Sequence, residues 1–229
     1  MNQHDLTEAS DMRWRLHHGG LGDILNASQQ EAVAATLRHV VTVVHGPPGC
    51  GKTTVVDVIA AAHSPGADSL SDPVQVAAPS NAGADNALRR HALREGDETR
   101  PCRLGDPEKI EQLLLAYSLQ EHAERSEGLS GPNKKRRTAA LRKLRTCTAG
   151  FGTLEAAANL EVAGEDSLQV PAVIIDEAGQ ATEPCCVIVL GLLAAQGHLV
   201  LVGTTSSFLL VFSARRLRGR DWIAACWSG

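Results

Sequence analysis

The chain has 229 residues, 43% of them hydrophobic, and a formal net charge of −4. This is enough apolar material for one α/β domain with its own core, and the acidic balance excludes a uniformly basic nucleic-acid coat, so any nucleic-acid surface must be local. The six cysteines form no C-x-x-C pair, which argues against a zinc cluster or dithiol centre and for a reducing compartment; no secretory leader or bilayer-length apolar run is read, so the expected location is intracellular, cytoplasmic or nuclear.

Residues 1–24 read as a poorly ordered lead-in. From Asn26 the pattern turns helical, with Ser28 as the candidate N-cap and Gln29, Gln30 and Glu31 behind it. Residues 40–44, Val-Val-Thr-Val-Val, predict a buried strand. Next comes His45-Gly46-Pro47-Pro48-Gly49-Cys50-Gly51-Lys52-Thr53-Thr54, and a helix-compatible run over 53–62 follows. Residues 74–78 form a second strand, which leads through Pro79-Ser80-Asn81 into a helix ending near Arg94. Residues 102–105 suit a short strand and 107–124 a helix. Gly128 to Pro132 breaks it, and 134–145 is a basic helical run with Leu141 and Leu144 on one side. Pro171 opens a strand ending in Asp176-Glu177. Residues 187–195 predict a helix and 198–203 another buried strand. Residues 204–229 change character, holding four of the seven aromatics (Phe208, Phe212, Trp222, Trp227) and four arginines. Strands alternating with helices argue for a doubly wound parallel sheet.

Two segments carry chemistry. The first fits G-x-x-x-x-G-K-[ST] in a strand–loop–helix setting, the context in which this pattern marks a phosphate site. Its glycines let backbone N–H groups curl around a polyphosphate, and the helix start adds positive partial charge. Lys52 is expected at the β/γ-phosphates and Thr53 on Mg²⁺. The second is Val173-Ile174-Ile175-Asp176-Glu177, an apolar strand delivering two carboxylates to the sheet edge where ligands bind. Alone, that strand end is an ordinary surface turn. Paired with a phosphate loop, it reads as metal ligand (Asp176) and general base (Glu177) of a nucleoside triphosphatase.

The order of further motifs carries a resemblance. Leu25-Asn26-Ala27-Ser28-Gln29 precedes the phosphate loop. Ala78-Pro79-Ser80-Asn81-Ala82-Gly83-Ala84-Asp85-Asn86 follows the second strand, then Arg103-Leu104-Gly105-Asp106-Pro107, Thr146-Cys147-Thr148-Ala149-Gly150, and Asp176 through Pro184. Over residues 24–203 the chain resembles the first RecA-like domain of superfamily 1 helicases. It is most similar to the branch containing the nonsense-mediated-decay helicase and the immunoglobulin mu-binding protein.

The resemblance implies a P-loop, RecA-like α/β domain over 25–203, with a helical and basic insertion at about 106–145 before the Walker B strand. It implies ATP and Mg²⁺ as cofactors and single-stranded RNA or DNA as partner. Gln29 would read adenine; Gly46, Pro47, Pro48, Gly49, Cys50, Gly51, Lys52, Thr53 and Thr54 would cradle the phosphates; Gln180 would link the carboxylates to the rest of the site. Ser80, Asn81, Thr146 and Thr148 would contact the nucleic-acid strand. Without the ordered set, Ser28 and Ser80 read as helix caps and Gln29 as an ordinary first-turn residue. The basic run 134–145 reads equally as a solvated or localisation-like patch and as a phosphate-contacting stalk.

The sequence departs from the family in three places. No apolar strand precedes Thr146. Gly203-Thr204-Thr205-Ser206-Ser207 stands where the family has Gly-Asp-x-x-Gln, and no second RecA-like domain follows. The expectation is therefore the ATP-binding domain of a helicase in truncated form, weak or inactive alone, with residues 204–229 an atypical tail. The alternative is a nucleotide-binding module without turnover.

Overall fold

In the computed structural model, the described residues are 24–64, 73–95, 100–121, 140–159, 168–204 and 222–226, the last as backbone only. A seven-stranded, wholly parallel sheet organises them, in the order β3-β4-β2-β5-β6-β1-β7. The strands are β1 (Val41–His45), β2 (Val74–Ala78), β3 (Pro101–Arg103), β4 (Ala149–Thr153), β5 (Val170–Ile175), β6 (Leu193–Gly203) and β7 (Trp222–Cys226). The helices are α1 (Ala27–Arg38), α2 (Lys52–His63), α3 (Asn81–Glu95), α4 (Leu154–Ala158) and α5 (Glu183–Val189).

Both faces of the sheet are covered, so its central strands are mostly apolar. Val74, Val76, Ala172, Ile174, Val200 and Val202 pack toward α1, α2 and α3. Their alternates Ala77, Val173, Ile175, Leu199 and Leu201 pack toward α4, α5 and the helical residues 140–144, with Leu141 and Leu144 buried there. The alternation is the period-2 geometry of a strand.

Several expectations are corrected. α1 is capped by Asn26, whose Oδ1 accepts from the Gln29 N–H at 2.9 Å, and Gln29 Oε1 accepts from the Asn26 N–H at 3.0 Å. This is a capping box, and Ser28 only donates to Asn26 Oδ1. Of the helix expected over 107–124, Pro107–Lys109 and Gln112–Tyr117 are 3₁₀ turns and only 119–121 are helical, while 122–124 lie outside the described residues. The helix expected at 187–195 starts at Glu183 instead, with Pro184 in its first turn, and gives way to strand at Leu193. Residues 134–139 of the basic run lie outside the described residues. Trp222–Cys226, in the expected tail, pairs in parallel with β1 as an edge strand. Among the described residues no helix is long and apolar enough to cross a membrane.

Candidate nucleotide and strand sites

Two clefts open along the carboxyl edge of the sheet. The first, about 590 Å³, is lined by the loop from Pro48 to Thr54 together with Asp176, Glu177 and Gln180. β1 delivers the loop and β5 the carboxylates, with β6 between them. Gly203, at the end of β6, accepts from the Gly46 N–H at 3.2 Å, and Thr204 joins the lining.

The loop geometry is that of a phosphate cradle. Gly49 and Gly51 have φ of +77° and +84°, a region open to glycine at no steric cost. A Cβ on Gly51 would also meet Gln29 Nε2 at 3.0 Å. Lys52 opens α2 and folds back so that Nζ donates to Gly46 O (3.0 Å) and Pro47 O (2.7 Å). Its ammonium thus sits over the loop, at the helix end where anions are favoured. Gln29 is held by the loop itself. Its Nε2 donates to Cys50 O at 2.9 Å, tying α1 to the loop. That bond and the capping box leave one N–H and one lone pair for an adenine edge.

Asp176 is 5% exposed. Burial is the main cause that pushes its carboxyl up to about 6; the charge of Glu177 pushes the same way, while the Glu177 N–H and Lys52 oppose it. Its Oδ1 accepts from the Glu177 N–H at 2.9 Å. Glu177 adopts a left-handed backbone, φ +52° and ψ +33°. It is the only non-glycine among the described residues to do so, and such strain concentrates at functional sites. The donors and carboxylates therefore fit a polyphosphate with a divalent cation.

The second cleft, about 850 Å³, lies over the ends of β2, β3 and β4 and includes Ser80, Asn81, Lys109 and Thr153. Ser80 Oγ accepts from the Gly83 N–H at 3.0 Å, capping α3, and its O–H stays free to donate. Asn81 Oδ1 accepts from Arg103 Nη2 at 3.1 Å, leaving its amide N–H groups outward. Both side chains present donors, as a phosphodiester backbone requires.

Arg103 itself is fully buried. It donates from Nε to Asp85 Oδ1 at 2.6 Å, and from its guanidinium to Leu104 O and Asn81 O. The sequence reading quoted Arg103 and Asp85 within motifs but assigned them no role.

Thr146 and Thr148 are not brought to either cleft. Both precede β4, at its amino end. Thr146 Oγ1 donates to Lys143 O at 2.7 Å, and Thr148 is buried, its Oγ1 accepting from the Arg100 N–H at 3.1 Å. Five residues at about 3.3 Å each separate Thr148 from the far end of the strand. The threonine that reaches that end is Thr153, opposite Ala78, and it was missed. The strand expected before Thr146 lies after it.

A family model described as an AAA domain (AAA_11) matches residues 24–150 and 134–205. The chain belongs to that family. It is a superfamily 1 helicase domain of the nonsense-mediated-decay and mu-binding branch. It is 35% identical over 201 residues to the ATP-dependent helicase upf1 of Schizosaccharomyces pombe, covering 78% of this chain and 21% of that protein. It is 39% identical over 105 residues to the DNA-binding protein SMUBP-2 of Mesocricetus auratus, covering 45% of this chain and 10% of that one. The helicase domain thus spans between a tenth and about a fifth of the length of these relatives. Its fold matches Saccharomyces cerevisiae Dbp5 bound to RNA and ADP BeF3 with a TM-score of 0.62 at 16% identity, over 93% of this chain and 50% of that one. The fold class is therefore P-loop, RecA-like α/β.

Proposed function

We propose that this domain binds Mg·ATP in the first cleft and couples its hydrolysis to a single nucleic-acid strand held across the second. The observation that carries the reading is the convergence of Lys52, Thr53, Asp176 and Glu177, from two strands separated by β6, on one cleft. A bound Mg²⁺ would supply positive charge to offset that of the phosphates. Thr53 and Asp176 are the residues to hold it. Asp176 would be ionised when it holds the cation. Lys52 would leave the loop carbonyls for the β/γ-phosphates, and Glu177 would orient and deprotonate the attacking water. Ser80, Asn81 and Thr153 would donate to the strand backbone, in the manner of sequence-independent binders.

A second reading, nucleotide binding without turnover, is favoured by one observation. Thr204 lines the cleft where the resembled family has an acid.

The test is equilibrium binding of a fluorescent ATP analogue. Lys52→Ala removes a charge-assisted contact worth roughly 1.5–3 kcal/mol, so affinity should fall about tenfold or more. Equal binding by wild type and variant would refute the assignment. Tight binding with no strand-stimulated phosphate release would favour the second reading.

A further inference from the structure

The nucleotide cleft has one lining residue that no motif accounts for. Arg90 belongs to α3, yet it lines the same cleft as the phosphate loop and the two carboxylates. It is exposed, and none of the described residues hydrogen-bonds or ion-pairs with it. Its neighbour Arg89 behaves differently, donating to Asn86 Oδ1 at 2.8 Å and pairing with Glu111.

The route from α3 into the cleft is visible in the helix geometry. Gly83 and Arg90 are seven residues apart, so they share one face of α3. Side chains on a helix lean toward its N-terminus, which carries Arg90 back along that face toward Gly83. Gly83 has no side chain to block the path. An added Cβ there would meet Ala78 Cβ at 3.1 Å, Ser80 Oγ at 3.2 Å and Glu177 Oε2 at 3.5 Å. The face that bears Arg90 therefore ends at the carboxylate of Glu177.

The charge balance of the cleft makes this position consequential. Its ionisable lining is Lys52, Arg90, Asp176 and Glu177. The two carboxylates serve the cation and the water, so without Arg90 a triphosphate would face Lys52 as the sole side-chain cation among the described residues. A guanidinium is the group best matched to phosphate oxygens, because its planar fork can donate two parallel bonds.

We propose that Arg90 is a second cationic contact in this cleft, supplied from within the domain, to the terminal phosphate of a bound nucleoside triphosphate. This rests on the nucleotide-binding reading above. Arg90 approaches from the Glu177 side, where the terminal phosphate meets the attacking water. The loop and Lys52 lie on the other side of the cleft, Lys52 reaching the β/γ-phosphates. The same helix begins at Ser80 and Asn81, so one rigid element carries both the strand donors and this cation.

The test is fluorescence titration, in Mg²⁺, of a labelled non-hydrolysable ATP analogue and of labelled ADP. The proteins are wild type, Arg90→Ala, Arg90→Lys and Lys52→Ala. Arg90→Ala should weaken triphosphate binding about tenfold, the usual scale of a lost charge-assisted bond, and ADP binding less than about twofold. Arg90→Lys should fall between, keeping charge and losing the fork. Lys52→Ala should weaken both ligands. Arg90 is exposed and its side chain has no hydrogen bond or ion pair among the described residues, so thermal unfolding without nucleotide should be unchanged. No loss, or equal loss for both nucleotides, with Lys52→Ala still behaving as expected, would overturn the Arg90 assignment and leave the phosphate loop standing. Failure of wild type to bind either nucleotide would overturn both.

Discussion

Replacing Arg103 with Met tests whether the buried pair beneath the strand cleft holds the domain together. Arg103 is 0% exposed and the Asp85 side chain 9%. The guanidinium serves Asp85, Leu104 O, Asn81 Oδ1 and Asn81 O, while Asp85 Oδ2 accepts from the Glu111 N–H at 3.1 Å. Arg103→Met strands a buried carboxylate and three carbonyl acceptors. Removing one partner of a buried ion pair costs about 3–5 kcal/mol, a large share of the roughly 5–15 kcal/mol that holds a domain folded. Asp85→Asn added to Arg103→Met removes the stranded charge and keeps an acceptor for Glu111. The double variant should therefore recover part of the loss, with a coupling of about 1–3 kcal/mol in a double-mutant cycle. Urea unfolding followed by circular dichroism measures all four proteins. A loss under about 1 kcal/mol in the single variant, or strictly additive losses, would show that the pair is not a structural tie.

Two further outcomes follow from the nucleotide cleft. Glu177→Gln keeps the side-chain shape but cannot accept the water's proton, so fluorescent ATP should still bind while strand-stimulated phosphate release falls by roughly 10²-fold or more; undiminished release would exclude Glu177 as the base. Asp176 holds its proton more tightly folded (about 6) than its ordinary value of 3.8. Stability without nucleotide should therefore fall as pH rises through that interval and be lowest above 6, by up to about 3 kcal/mol at 1.36 kcal/mol per pH unit. Asp176→Asn should remove that penalty, raising the unfolding midpoint at pH 7.5 but not at pH 4. An unchanged midpoint at pH 7.5 would contradict it.

The nucleotide cleft was legible because its chemistry is local. Ten consecutive residues make the loop, and an apolar strand announces the carboxylates wherever the sheet places it. The strand cleft was harder to read. β4 is Ala-Gly-Phe-Gly-Thr, with two glycines and no alternation. Those glycines answer close approach from elsewhere. A Cβ on Gly150 would meet Gln75 Oε1 at 2.9 Å, and one on Gly152 would meet Leu104 Cβ at 2.9 Å. Packing against distant residues decided the strand, so the threonine at the cleft is Thr153 rather than Thr146 or Thr148, and local propensity could not have corrected that reading. The same holds for 107–117, where the Glu111 N–H is bound to Asp85 rather than to a helical carbonyl. Arg90 escaped notice because an arginine pair on a helix looks like a solvated face until the fold brings one of the two to the lining of the cleft.

Strand β7 places an ordinary backbone ladder against the strand that leads into the phosphate loop. A parallel ladder joins peptide groups and reads no side-chain identity. The seventh position of the sheet is thus open to segments of unrelated composition, provided they can lie extended beside Val41–His45. The phosphate-loop strand is shielded from pairing with other chains by whatever fills that position. Hydrogen exchange at the β1 amides should therefore stay slow, since β1 is paired on both sides.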